Sequence, residues 1–171
     1  YIPEGVQLVN GRVTVPLSVL TEAFDASLTW NAATGVVAVT RGSGALTPAD
    51  QYYNQDDLFW LCRIIYAESG NQPLEGMMAV GNVVLNRVND PIYPNTIVGV
   101  LAQKNQFTTY QSGKLAYRTP NENSVIAAKL VLDGGVVEET KGATHFDSCS
   151  NSWASRHKTC VAVIGGHRFY A

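Results

Sequence analysis

The segment 58–87, LFWLCRIIYAESGNQPLEGMMAVGNVVLNR, constrains the fold of this chain more than any other. It consists of two apolar stretches separated by a short polar turn. In the first stretch, apolar residues recur at the i, i+3, i+4, i+7 spacing of a helix with one buried face, and these are Leu58, Leu61, Cys62 and Ile65. The pattern predicts two apolar helices that are joined by the turn.

The ends of both helices carry recognisable signals. Asp56 can cap the first helix through its side-chain oxygen, and Gly70 can end that helix in a left-handed conformation. Pro73 lies near the start of the second helix, which we expect to run to about Val88. Small residues predict a flat region on this second helix that allows close contact with a neighbour: Gly76, Ala79 and Gly81.

Glu68 is the carboxylate at the end of the first helix. At about 100° per residue it falls beside Leu61 on the apolar stripe. A carboxylate at the edge of an apolar surface is partly desolvated, which raises its pKa and suits it to donate a proton near neutral pH. The alternative interpretation is a helix-end glutamate that turns out to water, and periodicity alone leaves both open.

Composition narrows the class of protein. A length of 171 residues is enough for one domain with a sizeable core, or for one domain and a small appendage. The net charge of -2 gives no reason to expect nucleic acid or an anionic membrane as a partner. No apolar run approaches the roughly 18 residues of a membrane span, so no transmembrane segment is predicted.

Two parts are visible along the chain. Residues 1–41 are predicted to form a small ββαββ unit, in which Asn10 and Gly11 make a hairpin turn and Pro16 opens the helix. Residues 42–55 are rich in glycine, serine and proline, which predicts a linker.

Residues 56–171 are predicted to form an α+β domain, a helical body followed by a small antiparallel sheet. Beyond the first two helices, further helices are expected at 96–103 and 123–132. The expected strands are 143–147, 160–164 and 167–170, and the turn Gly165-Gly166 joins the last two.

The three cysteines leave alternatives open. Cys62 is most simply a small buried hydrophobic residue. Cys149 and Cys160 can form a disulfide, remain free thiols, or bind a metal together with His145 and His157. The spacing H-x3-C-x7-H-x2-C does not match a common zinc pattern.

Several motifs in order resemble one enzyme family. The runs IIYAESGNQPLEGMMAVGNVVLNRV, YPNTIVGVL, QFT and IGGHRFY resemble the SleB/CwlJ-type cell-wall hydrolases of spore-forming bacteria, over about residues 58–170. The runs NGRVTVPLSVLTEAF and LTWNAATGVVAV resemble the small N-terminal domain of copper amine oxidases. Residues 1–41 contain no histidine or cysteine, so this second resemblance implies no copper chemistry.

The first resemblance implies a lysozyme-like fold that cuts peptidoglycan strands between N-acetylmuramic acid and N-acetylglucosamine. Glu68-Ser69 and the later GMM also resemble the Glu-Ser and Gly-Leu-Met signatures of lytic transglycosylases. On that match Glu68 is the general acid, and then the base that deprotonates the muramic 6-hydroxyl, which leaves a 1,6-anhydro end. A hydrolytic muramidase would instead need a second carboxylate to activate water.

The second carboxylate stays open. Glu75 is the nearest candidate, although a glutamate in the first turn of a helix also simply favours the positive helix N-terminus. Asp147 has no evident role. The lack of a convincing partner for Glu68 favours transglycosylation.

Sugar rings are held by aromatic faces and by amide or hydroxyl groups. The same resemblance, with these residue types, gives the expected substrate-binding residues: Ser69, Glu75, Gln106, Phe107, Thr108, Tyr110 and Trp153. The plainer interpretations are ordinary loop hydrogen bonds for the QFT segment and an exposed loop residue for Trp153. His145 and His167 are expected to be structural.

The resemblance further implies peptidoglycan or spore cortex glycan as substrate, an extracytoplasmic location in the cell wall or spore envelope, and no cofactor. The N-terminal unit is expected to serve as an adaptor to the wall or to an envelope or coat protein. A non-catalytic glycan-binding coat protein and a metal-stabilised structural domain are the competing hypotheses.

Overall fold

The computed structural model describes residues 7–43 and 53–171. The chain separates into two compact units, Tyr1–Tyr52 and Tyr53–Ala171. The division falls inside the segment 42–55 that the sequence predicts as a linker, of which residues 44–52 lie outside the described residues.

The first unit has the predicted ββαββ order. Its elements are β1 (Gln7–Val9), β2 (Arg12–Thr14), α1 (Leu17–Ala23), β3 (Ala26–Asn31) and β4 (Val36–Arg41). The strands form two separate antiparallel hairpins, β1–β2 and β3–β4. Asn10 and Gly11 have φ values of 51° and 73°, the left-handed backbone that the predicted Asn-Gly turn requires.

The second unit is the predicted α+β domain. Its longer helices are α2 (Gln55–Ser69), α3 (Leu74–Asn89) and α6 (Glu122–Leu132), and its short ones are α4 (Ile97–Ala102), α5 (Thr108–Gln111) and α7 (Trp153–His157). Two 3-10 turns lie at Lys114–Tyr117 and Glu138–Thr140. Among the described residues, no helix is long and apolar enough to cross a membrane.

The sheet of the second unit lies at the C-terminal end of the chain. Strands β5 (His145–Asp147), β6 (Cys160–Ile164) and β7 (His167–Tyr170) are antiparallel in the order β5–β7–β6. The bounds of β6 and β7 are those predicted, and β5 begins two residues later than the predicted strand. Ile164 pairs with His167 across the predicted glycine turn.

The core forms where α2, α3 and α6 meet at Gly81. A Cβ atom on Gly81 would lie 2.9 Å from Cγ2 of Val131 and 3.0 Å from Cδ1 of Ile65, closer than side chains normally approach. The flat surface predicted for α3 is therefore used here for close helix packing. At Gly76 an added Cβ would come no nearer than 3.4 Å to Gln72, an ordinary contact.

Two of the predicted helix ends are wrong in detail. Asn54, not Asp56, caps α2: its side-chain oxygen accepts from the backbone N–H groups of Asp56 (2.9 Å) and Asp57 (3.2 Å). Asp56 lies in the first turn, where its charge favours the positive helix end. Gly70 ends the helix with φ at -61°, so its backbone is right-handed.

Glycine is required at position 70 for a steric reason. A Cβ atom there would lie 2.6 Å from both Cδ2 and the backbone oxygen of Tyr66. The sequence signal for a helix end was correct, but its cause is this close approach of the preceding turn and not a left-handed backbone.

Asn82 ties the chain after α6 to the helical core. It is buried, its Nδ2 donates to the carbonyl oxygen of Gly135 at 2.8 Å, and its Oδ1 accepts from the N–H of Val137 at 2.9 Å. One amide thus satisfies two backbone groups of the segment that leads into the sheet.

The contrast between the two glycines of α3 gives a prediction. Gly81→Ala should destabilise the chain by about 1–3 kcal/mol, because the added methyl group overpacks the contact of three helices. Gly76→Ala is the matched control and should be neutral or stabilising by up to about 1 kcal/mol, because alanine is the better helix former. Urea unfolding of both variants measures this, and equal effects would contradict the packing argument.

Candidate active site

Glu68 lies in the last turn of α2 and is half-buried. Burial raises the pKa of its carboxyl group above the ordinary value, and the charge of Arg118 opposes that shift. The partial desolvation expected from the helical periodicity is therefore present. Arg118 follows the 3-10 turn at Lys114–Tyr117 and was not foreseen as a neighbour, since nothing in its sequence context links it to α2.

The carbonyl group of Gly70, two residues after Glu68, is held by the N-cap residue of α6. Nδ2 of Asn121 donates to the carbonyl oxygen of Gly70 at 3.0 Å. Its Oδ1 accepts from the N–H and the hydroxyl of Ser124, at 2.9 and 2.6 Å, and so caps α6. Asn121 thereby joins the end of the helix that carries Glu68 to the start of another. Sequence reasoning missed it, although Asn-x-x-Ser before an apolar run is a capping signal.

The sheet reaches the same turn from its hairpin. Oε1 of Gln72 accepts from the N–H of Gly166 at 2.7 Å. The neighbouring Gly165 has φ at 57°, a left-handed backbone that favours glycine in this turn. The turn after Glu68 is thus fixed by contacts from both α6 and the β6–β7 hairpin.

Ser69 is not placed to bind a substrate. It is fully buried, and its hydroxyl donates to the carbonyl oxygen of Ile65 at 2.8 Å. The expectation that Ser69 binds substrate is therefore wrong for this structure. One residue after Glu68, the helix has turned by about 100° and faces the core.

Glu75 is exposed in the first turn of α3. It lines a surface hollow of about 450 Å³ together with Glu139 and the residues of β6. Among the described residues, Arg118 is the charged group that acts on Glu68, and no carboxylate does. Glu75 is therefore not among the charges that shift the pKa of Glu68, and its role as a second acid stays a prediction.

Asp147 has a structural place. Its carboxylate accepts from the hydroxyl of Ser152 and from that of Tyr170, the latter at 3.2 Å. It joins the cap of α7 to two strands of the sheet.

The QFT segment follows α4 and ends at the first residue of α5. Its residues differ in their exposure to solvent. Gln106 and Thr108 are exposed, as a substrate contact requires. Phe107 is buried in the core, so its expected role in binding substrate is wrong. The half-buried ring of Tyr110 contacts the edge of Trp60, with 5.1 Å between ring centroids.

This contact places the QFT segment relative to Glu68. Trp60 precedes Glu68 by eight residues in α2, which is about 12 Å along the helix axis. Tyr110, two residues after the QFT segment, therefore lies beside the first half of the helix whose far end carries Glu68.

Arg87 holds this segment in place. The guanidinium group is buried, donates from Nε to the carbonyl oxygen of Thr144 at 2.6 Å, and donates from Nη1 to Oε1 of Gln106 at 2.9 Å. The rings of Tyr93 and Phe107 lie 5.4 and 5.6 Å from it. Sequence reasoning missed Arg87; the available signal is a lone arginine at the end of an apolar helix.

Trp153 lies on a short helix and not in the predicted loop. The helix α7 begins with a capping box made by Ser152 and Ser155. The exposed ring of Trp153 stacks on His157, with centroids 4.8 Å apart, and lies 5.4 Å from His145. A helix of five residues is too short for apolar periodicity to reveal it.

Burial lowers the pKa of both histidines that were expected to be structural. Burial, with the charges of Arg87 and Lys158, lowers the pKa of His145 to about 4. Burial likewise lowers the pKa of His167, which is a buried residue of β7.

The cysteines are free thiols in the structure. Cys62 is buried, as expected, and Cys149 and Cys160 are exposed and form no disulfide. Within residues 7–43 and 53–171, no group of three or more histidine, cysteine or acidic residues is placed to hold a metal ion. The proposed cluster with His145 and His157 is therefore not assembled.

A hollow of about 630 Å³ lies in the first unit, around Trp30 and the β3–β4 turn. Its lining contains no titratable side chain, so it offers no acid or base for catalysis.

Comparison with known proteins agrees with the geometry. Residues 71–170 match the family described as Cell Wall Hydrolase. The chain belongs to this family. It is 41% identical over 121 residues to the spore cortex-lytic enzyme of Bacillus cereus. The matched region covers 68% of this chain and 45% of that protein. It is 36% identical over 118 residues to the spore cortex-lytic enzyme of Bacillus subtilis strain 168, which covers 68% of this chain and 38% of that protein.

The chain thus spans less than half the length of these two relatives. Among solved structures, it is similar to the catalytic domain of the germination-specific lytic transglycosylase SleB from Bacillus anthracis, with a TM-score of 0.61 and 30% identity. That comparison covers 73% of this chain and all of the other. The catalytic domain of Bacillus cereus SleB gives a TM-score of 0.62 and 30% identity over 76% of this chain and all of that domain.

These comparisons confirm the predicted SleB/CwlJ-type family and the lysozyme-like fold of the second unit. The resemblance of residues 1–41 to the copper amine oxidase N-terminal domain stays a prediction.

The burial of Glu68 predicts how stability depends on pH. Its pKa in the folded chain is raised above the ordinary 4.5, so stability is lost as pH rises from that value through the folded pKa. Glu68→Gln removes the desolvated charge, so it should raise the melting temperature at about pH 7 and lose that advantage at a pH below 4.5. Thermal unfolding at both pH values measures this, with Glu75→Gln at an exposed position as the control. A lower melting temperature for Glu68→Gln at pH 7 would contradict it.

Proposed function

We propose that this chain cleaves the glycan strand of peptidoglycan between N-acetylmuramic acid and N-acetylglucosamine, with Glu68 as the general acid. The observation that carries the proposal is that the carboxyl group of Glu68 is half-buried and that this burial raises its pKa. The chain belongs to the Cell Wall Hydrolase family. A raised pKa lets a carboxyl group hold its proton to a higher pH, so that it can protonate the glycosidic oxygen as the bond breaks.

The reaction that fits best is lytic transglycosylation. Glu68 donates its proton to the leaving oxygen and, as a carboxylate, then accepts the proton of the muramic 6-hydroxyl. That oxygen attacks C1 and closes a 1,6-anhydro ring, so no water is consumed. Support comes from the absence of a carboxylate acting on Glu68 among the described residues, and from the likeness to a domain described as a lytic transglycosylase.

Hydrolysis by a muramidase is the second candidate. It needs a second carboxyl group within about 5–10 Å of the first, to attack C1 or to activate water. Glu75, the residue named for this from sequence, faces the hollow beside β6 and does not shift the pKa of Glu68. A non-catalytic glycan-binding coat protein would have no use for a proton donor of raised pKa.

The substrate strand would extend from Glu68 along α2 toward the QFT segment. Gln106 and Thr108 are exposed there, Tyr110 offers part of an aromatic face, and Trp153 offers an exposed ring. The natural substrate would be spore cortex or wall glycan, outside the cytoplasm. The first unit would dock to an envelope or coat protein.

Digestion of purified peptidoglycan and of spore cortex tests this proposal. We expect muropeptides that end in 1,6-anhydromuramic acid, and a loss of at least about 100-fold in turnover for Glu68→Gln, because the proton donor is gone. Glu75→Gln is the matched control and should retain activity. Mass spectrometry of the products decides: reducing muramic ends would favour hydrolysis, and full activity of Glu68→Gln would remove Glu68 from the mechanism.

The charge of Arg118 predicts a shift in the pH profile. Arg118 lowers the pKa of Glu68, so Arg118→Ala should raise that pKa further. Since the general acid must be protonated, the fall of kcat/KM on the alkaline side should move to higher pH. The comparison is with the parent and with Arg41→Ala, an exposed arginine of the first unit. A move to lower pH, or an equal move in Arg41→Ala, would contradict the assignment.

A further inference from the structure

The guanidinium group of Arg87 is buried without an opposite charge. Only 4% of the residue's surface is exposed, and no carboxylate of the described residues forms an ion pair with it. Its acceptors are neutral, the carbonyl oxygen of Thr144 and the amide oxygen of Gln106. A buried cation with neutral partners is costly, whereas an apolar residue would continue the buried face formed by Val83 and Val84. Stability alone therefore does not account for an arginine here.

We infer that Arg87 is a positioning residue that locks the side-chain amide of Gln106, so that its NH2 group faces the substrate and donates to an acetamido carbonyl oxygen of the glycan. The inference rests on the proposed function and deepens it, because it assigns an orientation and a ligand group to a residue on the proposed path of the substrate.

The orientation follows from the chemistry of the two groups. A guanidinium carries only donors, so the atom of Gln106 that lies 2.9 Å from Nη1 of Arg87 must be the amide oxygen. The NH2 group is then on the other side. It has no hydrogen-bond partner among the described residues, and Gln106 is exposed. An exposed glutamine without such a contact would present either end of its amide.

The contacts of Arg87 make this lock rigid. The guanidinium donates to the carbonyl oxygen of Thr144, the residue before β5, and lies against the rings of Tyr93 and Phe107. The backbone N–H of Gln106 donates to the carbonyl oxygen of Gln103 at 3.2 Å, which holds the main chain as well. A donor on a loop is thereby preorganised, which reduces the entropy lost on binding.

The choice of ligand group follows from polarity. An amide that accepts from a cation is polarised, and its N–H groups become better donors. A carbonyl oxygen is an acceptor only, whereas a sugar hydroxyl both donates and accepts. The fixed, polarised donor therefore fits the carbonyl oxygen of an N-acetyl group, which both sugars of the proposed substrate carry.

Two substitutions of Gln106 separate binding from stability. Gln106→Glu keeps an oxygen toward Arg87, forms an ion pair with it and removes the NH2 donor, so the melting temperature should rise while KM rises on the order of tenfold. Gln106→Met removes both features, so KM should rise similarly while the melting temperature falls. In both variants kcat should change little, since Glu68 is untouched.

Gln7→Glu is the control for the added charge, at an exposed glutamine of the first unit, and should match the parent in KM. A KM unchanged in both Gln106 variants, whatever their melting temperatures, would overturn the proposal. If the parent itself cleaves no peptidoglycan, the proposed function fails. In that case binding of each protein to insoluble peptidoglycan, measured by co-sedimentation, still tests the donor.

Arg87→Lys tests the lock itself. Lysine keeps the charge but cannot hold two acceptors in the fixed geometry of a guanidinium, so KM should rise with kcat unchanged. Arg87→Lys combined with Gln106→Glu should have the KM of Gln106→Glu alone, because the donor is already lost. Additive effects of the two changes on KM would show that Arg87 acts independently of Gln106 and would overturn its role as the positioning residue. Should Arg87→Lys fail to fold, the pair of Gln106 variants decides.

N-deacetylated peptidoglycan identifies the acceptor. On this substrate Gln106→Met and the parent chain should have the same KM, because the acetamido carbonyl that the NH2 group of Gln106 would contact is absent. If Gln106→Met still raises KM on this substrate, another oxygen is the acceptor and the acetamido assignment is wrong.

Discussion

The close contact of three helices at Gly81 is the constraint on which the second unit depends. Because position 81 carries no side chain, Ile65 of α2 and Val131 of α6 pack directly against the backbone of α3. This contact fixes the rotation of α2 about its axis. Glu68 follows Ile65 by three residues, so the same rotation that buries Ile65 leaves Glu68 at the edge of the core.

The end of α2 is then held by hydrogen bonds between side-chain amides and the backbone. Asn121 holds the carbonyl of Gly70, and Gln72 holds the N–H of Gly166. These neutral contacts fix the turn after Glu68, and within residues 7–43 and 53–171 its carboxyl group forms no ion pair. Desolvation therefore outweighs the opposing charge of Arg118, and the net effect on the pKa of Glu68 is upward.

Local signals predicted the long elements well and their details less well. The spacing of apolar residues predicted α2 and α3, because a buried helical face must repeat with the helix. It predicted Asp56 as the cap, whereas Asn54 caps α2, because apolar spacing does not fix the first residue of a helix and both side chains can accept from its N-terminus. Phe107 and Ser69 were expected at a binding surface by resemblance, but both face the core, and a motif does not state which way each of its residues points.

From the chain alone we could predict the helical hairpin, the division into two parts, the family, and Glu68 as the candidate acid. These follow from periodicity and from motifs that are contiguous in the chain. The groups that surround them are visible only in the packed molecule: Asn121 bonds to Gly70, Gln72 to Gly166, and Arg87 to Gln106. Such pairs join residues 19 to 94 positions apart, and no local pattern encodes them, because they form only once the helices and the sheet have packed.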